Sequence, residues 1–118
     1  MQDQLKIQTN IDSNLFDIKI PTFTLQPLVE NAIKHGISKL LENGQIDIRI
    51  FRNNGNIKIE IEDNAGAFNE IEDKPDIGIR IVDKRIKNLV GNDYGLTIHC
   101  EPDTKTTATI LLPSEGIR

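Results

Sequence analysis

The sequence predicts one α/β domain, a two-layer sandwich in which helices cover one face of a mixed, largely antiparallel sheet. Two observations support this prediction. Segments with the two-residue period of strands occur in pairs, and two segments with helical periodicity separate these pairs. A regular alternation of strand and helix, which would predict a parallel sheet, is not seen. The length of 118 residues fits a single domain.

The predicted order of elements is β-β-α-β-β-loop-α-β-β. The first strand is "QLKIQTNI", whose alternation places Leu5, Ile7 and Thr9 on one half-buried side. A short extended segment, "NLFDIKIP", follows and is stopped by Pro21. We interpret this opening as that of a domain cut out of a longer protein.

The first helix is predicted to follow a cap at Thr22 or Thr24 and to stop at Gly36. Helical spacing gathers one apolar face, which consists of Leu25, Leu28, Val29, Ala32 and Ile33. The opposite face carries Glu30, Asn31 and Lys34, with His35 at its border. This helix therefore has an apolar face that fits the core and a polar face that is either simply solvated or binds a ligand.

Two strict period-two segments, "GQIDIRIF" and "NIKIEIED", form the next strand pair. Asn54-Gly55 between them is a strong signal for a tight hairpin turn. The isoleucines of each strand share a face, in the sets Ile46, Ile48, Ile50 and Ile57, Ile59, Ile61. The second strand is predicted to end at Asp63, before a loop over residues 64–76.

The second helix is predicted in "IGIRIVDKRIKNLVG". Its apolar positions are Ile79, Val82, Ile86, Leu89 and Val90, and Gly91 marks its end. Two further strands, "YGLTIHCEPD" and "KTTATILLP", are expected around a turn at Pro102 and Asp103.

The composition narrows the classes of partner. The net charge is −4, and only 4% of the residues are aromatic, which argues against binding nucleic acid through its phosphates. The same negative charge disfavours binding of the domain to an anionic membrane surface. The single Cys100 cannot form an internal disulfide and fits a reducing cytoplasm. No apolar run reaches the roughly 18 residues of a membrane span.

The polar face of the first helix combines three groups suited to a metal-bound polyphosphate. The amide oxygen of Asn31 can bind Mg²⁺, the ammonium of Lys34 can neutralise phosphate charge, and Glu30 can orient or deprotonate a nucleophile. Glu30 and Lys34 also form an ordinary i,i+4 pair, so the helical wheel by itself favours a merely solvated face. Other parts of the sequence must decide between the two explanations.

Two later features favour the ligand site. Asp63 ends a strand, where it can accept a hydrogen bond from an adenine amino group, and Gly66 lets the main chain approach a ligand. Gly78 opens the second helix, whose start can bind an anion. Each feature has a structural alternative, because "DNAG" is good turn chemistry and a glycine before a helix can be a simple connection.

The order of these three features resembles the ATP-binding domain of the GHKL superfamily, which includes gyrase, Hsp90, histidine kinases and MutL. "LQPLVENAIKHG" looks like the N box, "EDNAG" like the first glycine box and "GIRIVDKRI" like the second. Within the superfamily, the chain is most similar to LytS-like sensor histidine kinases, the group of the YehU and YpdA kinases. "VDKR" and "YG…CEPD" support that similarity, which extends over nearly the whole chain.

The resemblance implies a role for each matching residue. The fold would be the Bergerat fold, with ATP and Mg²⁺ as cofactors. Glu30 and Asn31 would be catalytic, with Asn31 as the Mg²⁺ ligand. Residues 64–76 would be a mobile lid over the nucleotide. The nucleotide itself would contact Asn31, Lys34, His35, Asp63, Gly66, Ile77, Gly78 and Arg80, while Leu28, Ala32 and Ile81 would contribute to the pocket wall.

The resemblance also implies the larger assembly. The γ-phosphate would go to a histidine on the protein's own upstream dimerisation domain, since His35 is not the phosphoacceptor of this family. A LytTR-type response regulator would act downstream. The full-length protein would be a homodimer at the cell membrane, with residues 1–118 as a single cytoplasmic catalytic domain.

Two alternatives remain open. A stand-alone GHKL serine kinase of the anti-sigma-factor type would have about this length. An interaction module that has lost nucleotide binding is the other, because Asp76 replaces the first glycine of the second glycine box, which reads "DIG". Arg80 can offset the charge of Asp76.

Overall fold

A computed structural model describes residues 6–12, 25–35, 44–66 and 77–114. Within these ranges, five strands form one sheet and two helices pack on it. The elements are β1 (Lys6–Ile11), α1 (Leu25–His35), β2 (Gln45–Asn53), β3 (Asn56–Asp63), α2 (Ile77–Val90), β4 (Gly95–Glu101) and β5 (Lys105–Leu112). The predicted second extended segment, the caps Thr22 and Thr24, Gly36 and residues 67–76 lie outside the described residues.

The sheet is mixed and largely antiparallel, as predicted. Its order is β1-β2-β3-β5-β4, with β1 parallel to β2 and every other pair antiparallel. The insertion of β5 between β3 and β4 brings the end of β3 next to the start of β5, where Asp63 pairs with Thr106. The end of β3 and the start of β5, which are distant in sequence, therefore lie side by side at Asp63, one of the predicted site residues.

Both helices cover the same face of the sheet. Side chains of the two helices and of β2, β3 and β5 form one buried cluster that includes Leu28, Ala32, Ile57, Ile59, Ile61, Ile79, Val82, Ile86, Ile110 and Leu112. This cluster confirms the two-layer sandwich. The opposite face is polar, and Arg49 there donates to Glu60 and to Glu62, each at 3.0 Å.

The prediction of a half-buried first strand is wrong for its described residues. All of β1 is exposed, including Ile7 at 49%. The physical reason is its place at the edge of the sheet, because α1 packs over β3 and α2 over β4, so the helix layer is centred away from β1. The alternation of the sequence was correct, but it does not reveal which strand lies under a helix.

Most of the predicted helical core is confirmed, and two positions are corrected. Ile33 is 38% exposed and Leu89 is 53% exposed, although both were placed on apolar faces. Each lies at the border of its helix's apolar face, where a small rotation moves a side chain into solvent. Gly91 ends α2 with a φ of 111°, and its N–H donates to the Lys87 carbonyl at 2.9 Å.

Candidate functional site

The fold brings the three predicted motifs onto neighbouring elements. The first helix, α1, contacts both β3 and α2. Asp63 ends β3, and Ile77 and Gly78 are the first two residues of α2. The elements that carry the three motifs are therefore neighbours in the fold.

Asp63 is the best-defined group of this region. It is only 3% exposed, and its Oδ1 accepts hydrogen bonds from the main-chain N–H of Ala65 at 2.9 Å and of Gly66 at 3.2 Å. This is an Asx turn, in which an aspartate replaces a main-chain carbonyl as acceptor and turns the chain directly after a strand. The "DNAG" sequence thus forms the turn that its composition allows, and the turn holds a buried carboxylate.

Burial raises the pKa of Asp63 above its ordinary value of 3.8, and this effect outweighs the others. The main-chain N–H groups of Ala65, Gly66 and Thr106 act in the opposite direction, and the charge of Glu62 adds a smaller upward shift. A buried carboxylate with a raised pKa makes the folded protein less stable at neutral pH, so its presence next to a turn marks a candidate functional group.

Asn64 fixes this turn to the sheet. Its Oδ1 accepts from the Gln45 N–H at 2.9 Å, and its own N–H donates to the Gln45 carbonyl at 3.2 Å. The sequence placed residues 64–76 together in a mobile lid. The first three of these residues, Asn64, Ala65 and Gly66, make hydrogen bonds to neighbouring structure at the end of β3, and the rest of the predicted lid lies outside the described residues.

Gly66 lies against the turn between β4 and β5. Its φ is 61°, and a Cβ atom there would lie within 2.7 Å of Thr104 N, Glu101 O and Lys105 N. The Gly66 carbonyl accepts a hydrogen bond from the Asp103 N–H at 2.9 Å. The missing side chain of Gly66 therefore makes room for main chain of the same protein, a role that the sequence analysis did not foresee.

The predicted site residues of α1 are placed in the helix with different degrees of detail. Glu30 is exposed, and one of its oxygens accepts from Gln26 Nε2 at 3.2 Å. Asn31, Lys34 and His35 belong to α1, but their side chains lie outside the described part of the structure. The predicted pocket-wall residues Leu28 and Ala32 are buried in the core.

The start of α2 carries the remaining predicted residues. Ile77 and Gly78 open the helix, and Arg80 is exposed in its first turn. That turn contains no acidic residue, so nothing in it opposes an anion at the main-chain N–H groups that a helix start leaves unpaired. Ile81, the other predicted pocket-wall residue of this helix, is 51% exposed.

Asp83 has a role that the sequence analysis did not assign. Its Oδ1 accepts from the Leu96 N–H at 2.7 Å and from Lys87 Nζ at 2.6 Å, which ties α2 to the start of β4. A Cβ at Gly95 would lie 2.5 Å from that same oxygen. The "VDKR" and "YG" motifs, which are distant in sequence, therefore meet at the Asp83 carboxylate.

The donor set of the region can be compared with the needs of a metal ion. In the described ranges, no group of three or more His, Cys, Asp or Glu side chains is arranged to hold one. Mg²⁺ keeps several waters and is bound by few protein oxygens together with phosphates, so a single amide oxygen such as that of Asn31 fits its chemistry.

Neither α1 nor α2 has the length and apolarity of a membrane-crossing helix.

Comparisons with known proteins agree with this architecture. Sensor histidine kinase BtsS of Escherichia coli K12 is 43% identical over 112 residues, which cover 95% of this chain and 20% of BtsS. Sensor protein LytS of Oceanobacillus iheyensis is 33% identical over 125 residues, with 94% and 21% covered. The histidine kinase domain of the Erythrobacter litoralis EL346 blue-light activated kinase superposes with a TM-score of 0.69 at 21% identity, over 92% of this chain and 51% of that one. No family model matches the chain.

These findings define the class first: the fold is that of histidine kinase catalytic domains. The homologues then narrow the similarity: over nearly its whole length the chain is similar to part of the sensor histidine kinases BtsS and LytS, as its LytS-like motifs predicted. The chain spans about a fifth of the length of the curated relatives it matches.

Proposed function

We propose that this domain binds Mg-ATP and directs the γ-phosphoryl group to a histidine on an upstream dimerisation domain of the same kinase. The observation that carries the proposal is the buried carboxylate of Asp63, held in a turn at the end of β3, a strand that α1 contacts. The class of homologue supports a histidine rather than a serine as acceptor.

Asp63 would select the base. Its Oδ1 is already engaged by two turn amides, so Oδ2 would accept from the exocyclic amino group of adenine. The carboxylate must be ionised to act as an acceptor without competition from its own proton. A guanine presents a carbonyl oxygen at the equivalent position, and this oxygen would repel the carboxylate.

The polar face of α1 would handle the phosphates. Asn31 would offer its amide oxygen to Mg²⁺, and Lys34 with His35 would line the phosphate side. When Mg-ATP is bound, the ATP supplies the transferable phosphoryl group, and the Mg²⁺ ion neutralises much of the negative charge of the phosphates. Glu30, exposed beside these residues, would orient the attacking histidine and accept its proton.

The first turn of α2 would complete the site. The main-chain N–H groups at Gly78 would donate to phosphate oxygens, and Arg80 would add positive charge. Ile77 would cover part of the nucleotide. The work of such a site is positioning and charge neutralisation, which is the usual requirement of phosphoryl transfer.

The rest of the protein follows from the class. We propose that the intact kinase is a homodimer at the cell membrane, with this domain in the cytoplasm, and that a LytTR-type response regulator receives the signal. The anti-sigma-factor type of serine kinase and a nucleotide-free interaction module are the competing functions. Asp76, which motivates the second, lies outside the described residues.

Phosphorylation of the full-length protein with γ-labelled ATP tests this proposal. The expected product is a label on the kinase itself that is lost in acid and retained in base, as for phosphohistidine, and that is absent from Asn31→Ala. An acid-stable label on a partner protein would identify the serine kinase instead. A folded protein that takes up no label and binds no nucleotide would establish the interaction module.

A further inference from the structure

We propose that the turn joining β4 and β5, residues 101–105, is a positioning element for the nucleotide site, and that Asp103 is its key residue. The inference rests on the nucleotide-binding function proposed above. It concerns a part of the chain that is distant in sequence from all three motifs, and its basis is a set of main-chain contacts to Asp63 and its neighbours.

The turn touches the "DNAG" segment on two sides. On one side, the Asp103 N–H donates to the Gly66 carbonyl at 2.9 Å. On the other side, the backbone of Glu101, Thr104 and Lys105 fills the space where a Gly66 side chain would lie. Because the Gly66 N–H donates to Asp63 Oδ1, any displacement of Gly66 also displaces a hydrogen bond to the carboxylate.

The residues at the start of β5, after the turn, also contact Asp63 and the residue before it. Thr106 pairs with Asp63 across the two strands, and its main-chain N–H acts to lower the pKa of the Asp63 carboxyl group. Lys105 Nζ lies 3.7 Å from Glu62 Oε1, and Thr107 Oγ1 donates to that same oxygen at 3.1 Å. The hairpin end therefore contacts the residue before Asp63, Asp63 itself and the turn after it.

The conformation of the turn depends on Asp103. Its φ is 60°, in the left-handed region that Asp, Asn and Gly tolerate and that β-branched residues avoid. The Thr104 N–H closes the turn on the Glu101 carbonyl at 2.9 Å. A residue that rejects this φ would rotate the peptide whose N–H holds Gly66.

The chain offers a matched control in its other tight hairpin. Asn54 has a φ of 54° in the β2–β3 turn, and the glycine beside it has no atom within 4 Å of its would-be Cβ. A substitution at Asn54 thus imposes the same backbone strain at a turn that makes none of the Gly66 contacts. Comparing the two positions separates positioning from a general loss of stability.

The experiment measures the affinity of a non-hydrolysable ATP analogue for the wild-type chain and for Asp103→Val, Asp103→Gly, Asn54→Val and Asn54→Gly. Asp103→Val should weaken binding by about tenfold or more, whereas Asp103→Gly, which accepts the φ, should stay within about twofold of wild type. Asn54→Val should bind like wild type at a comparable loss of stability. The Gly66 amide resonance should shift in Asp103→Val alone.

A second readout separates positioning from folding. Loss of the Gly66 N–H bond raises the pKa of Asp63 further, so the pH midpoint of binding should move upward in Asp103→Val and stay fixed in Asn54→Val. Wild-type affinity in an Asp103→Val protein with a displaced Gly66 amide would overturn the inference, and so would equal losses at both hairpins. Binding of the analogue by the wild-type chain is measured first. Failure of a folded wild-type chain to bind would overturn the proposed function itself.

Discussion

The carboxylate of Asp63 accepts a hydrogen bond from the main-chain N–H of Ala65 at 2.9 Å while only 3% of the residue is exposed. The turn thus fixes the orientation of an acid whose ionisation is opposed by its surroundings. An amide side chain could make the same turn without that penalty. The fold alone therefore does not require an acid at this position, whereas the proposed binding of adenine does.

Asp63→Asn should abolish binding of adenine nucleotides without lowering the stability of the fold. The amide oxygen of the new side chain still accepts from Ala65 and Gly66, but its NH₂ group takes the place of the second carboxylate oxygen. This NH₂ group is a donor and faces the amino group of adenine, which is also a donor. Calorimetric titration gives the affinity, and urea denaturation gives the free energy of unfolding. A variant less stable than wild type at neutral pH by about 1–3 kcal/mol, the usual effect of a broken buried hydrogen bond, would contradict this expectation.

The pH dependence of stability provides an independent test of the same residue. Because the pKa of Asp63 is raised on folding, its contribution to stability is fully present below the unfolded value of 3.8 and is lost as pH rises through the folded value. Wild type should therefore lose stability relative to Asp63→Asn as pH rises from about 4 towards neutrality. A constant difference between the two proteins across that range would show that the pKa is not raised.

Asn31→Ala should remove the Mg²⁺ dependence of nucleotide binding while leaving a weaker, metal-independent affinity. Asn31 is proposed to contribute the protein's oxygen to the metal, whereas Asp63 holds the base. Titrations with and without Mg²⁺ measure the two contributions. Asn88→Ala, an exposed position of α2, is the matched control and should behave like wild type. Mg²⁺ dependence that survives in Asn31→Ala would remove the residue from the metal site.

Gly66→Ala should destabilise the domain much more than Gly55→Ala. Both glycines have positive φ, 61° and 84°, so both substitutions impose left-handed strain, which costs about 1–3 kcal/mol. Only at Gly66 does the added methyl group meet main-chain atoms, and this overpacking adds about 1–3 kcal/mol. Denaturation midpoints of the two variants measure the difference. Equal midpoints would mean that the β4–β5 turn yields easily to a side chain at Gly66.

Asp83→Ala should lower the free energy of unfolding by about 1–3 kcal/mol, because the Leu96 N–H at the start of β4 loses its acceptor. Lys87→Ala removes only a half-exposed ion pair and should cost under about 1 kcal/mol. Chemical denaturation of both variants separates the two partners of Asp83. Equal losses would show that the ion pair, rather than the hydrogen bond to β4, carries the stabilisation.

The periodicity of the sequence predicted the layers of the fold because burial repeats every two residues in a strand. Ile57, Ile59 and Ile61 are buried in β3 as their alternation indicates. The exposure of β1 could not be predicted in this way. The alternation within a strand does not reveal which other elements pack against it. Ile7 alternates like the central strands and is nevertheless exposed at the sheet edge.

The same limit applies to the site. Asp63 was identifiable from its place at a strand end before a glycine-containing turn. The contact of Gly66 with Asp103 depends on β5 lying beside β3, and that of Asp83 with Leu96 depends on α2 lying beside β4; a single sequence specifies neither. These contacts do have a signal in the sequence, because the short motifs "DNAG", "VDKR" and "CEPD" contain Gly66, Asp83 and Asp103.

The most direct test of the central claim is a calorimetric titration of this domain with a non-hydrolysable ATP analogue, in the presence and absence of Mg²⁺, with Asp63→Asn alongside. The proposed role of Asp63 predicts saturable binding by wild type that Mg²⁺ strengthens, a clear preference over the corresponding GTP analogue, and no binding by a folded Asp63→Asn. Binding of the analogue by Asp63→Asn with wild-type affinity, or no binding by a folded wild-type domain, would contradict it.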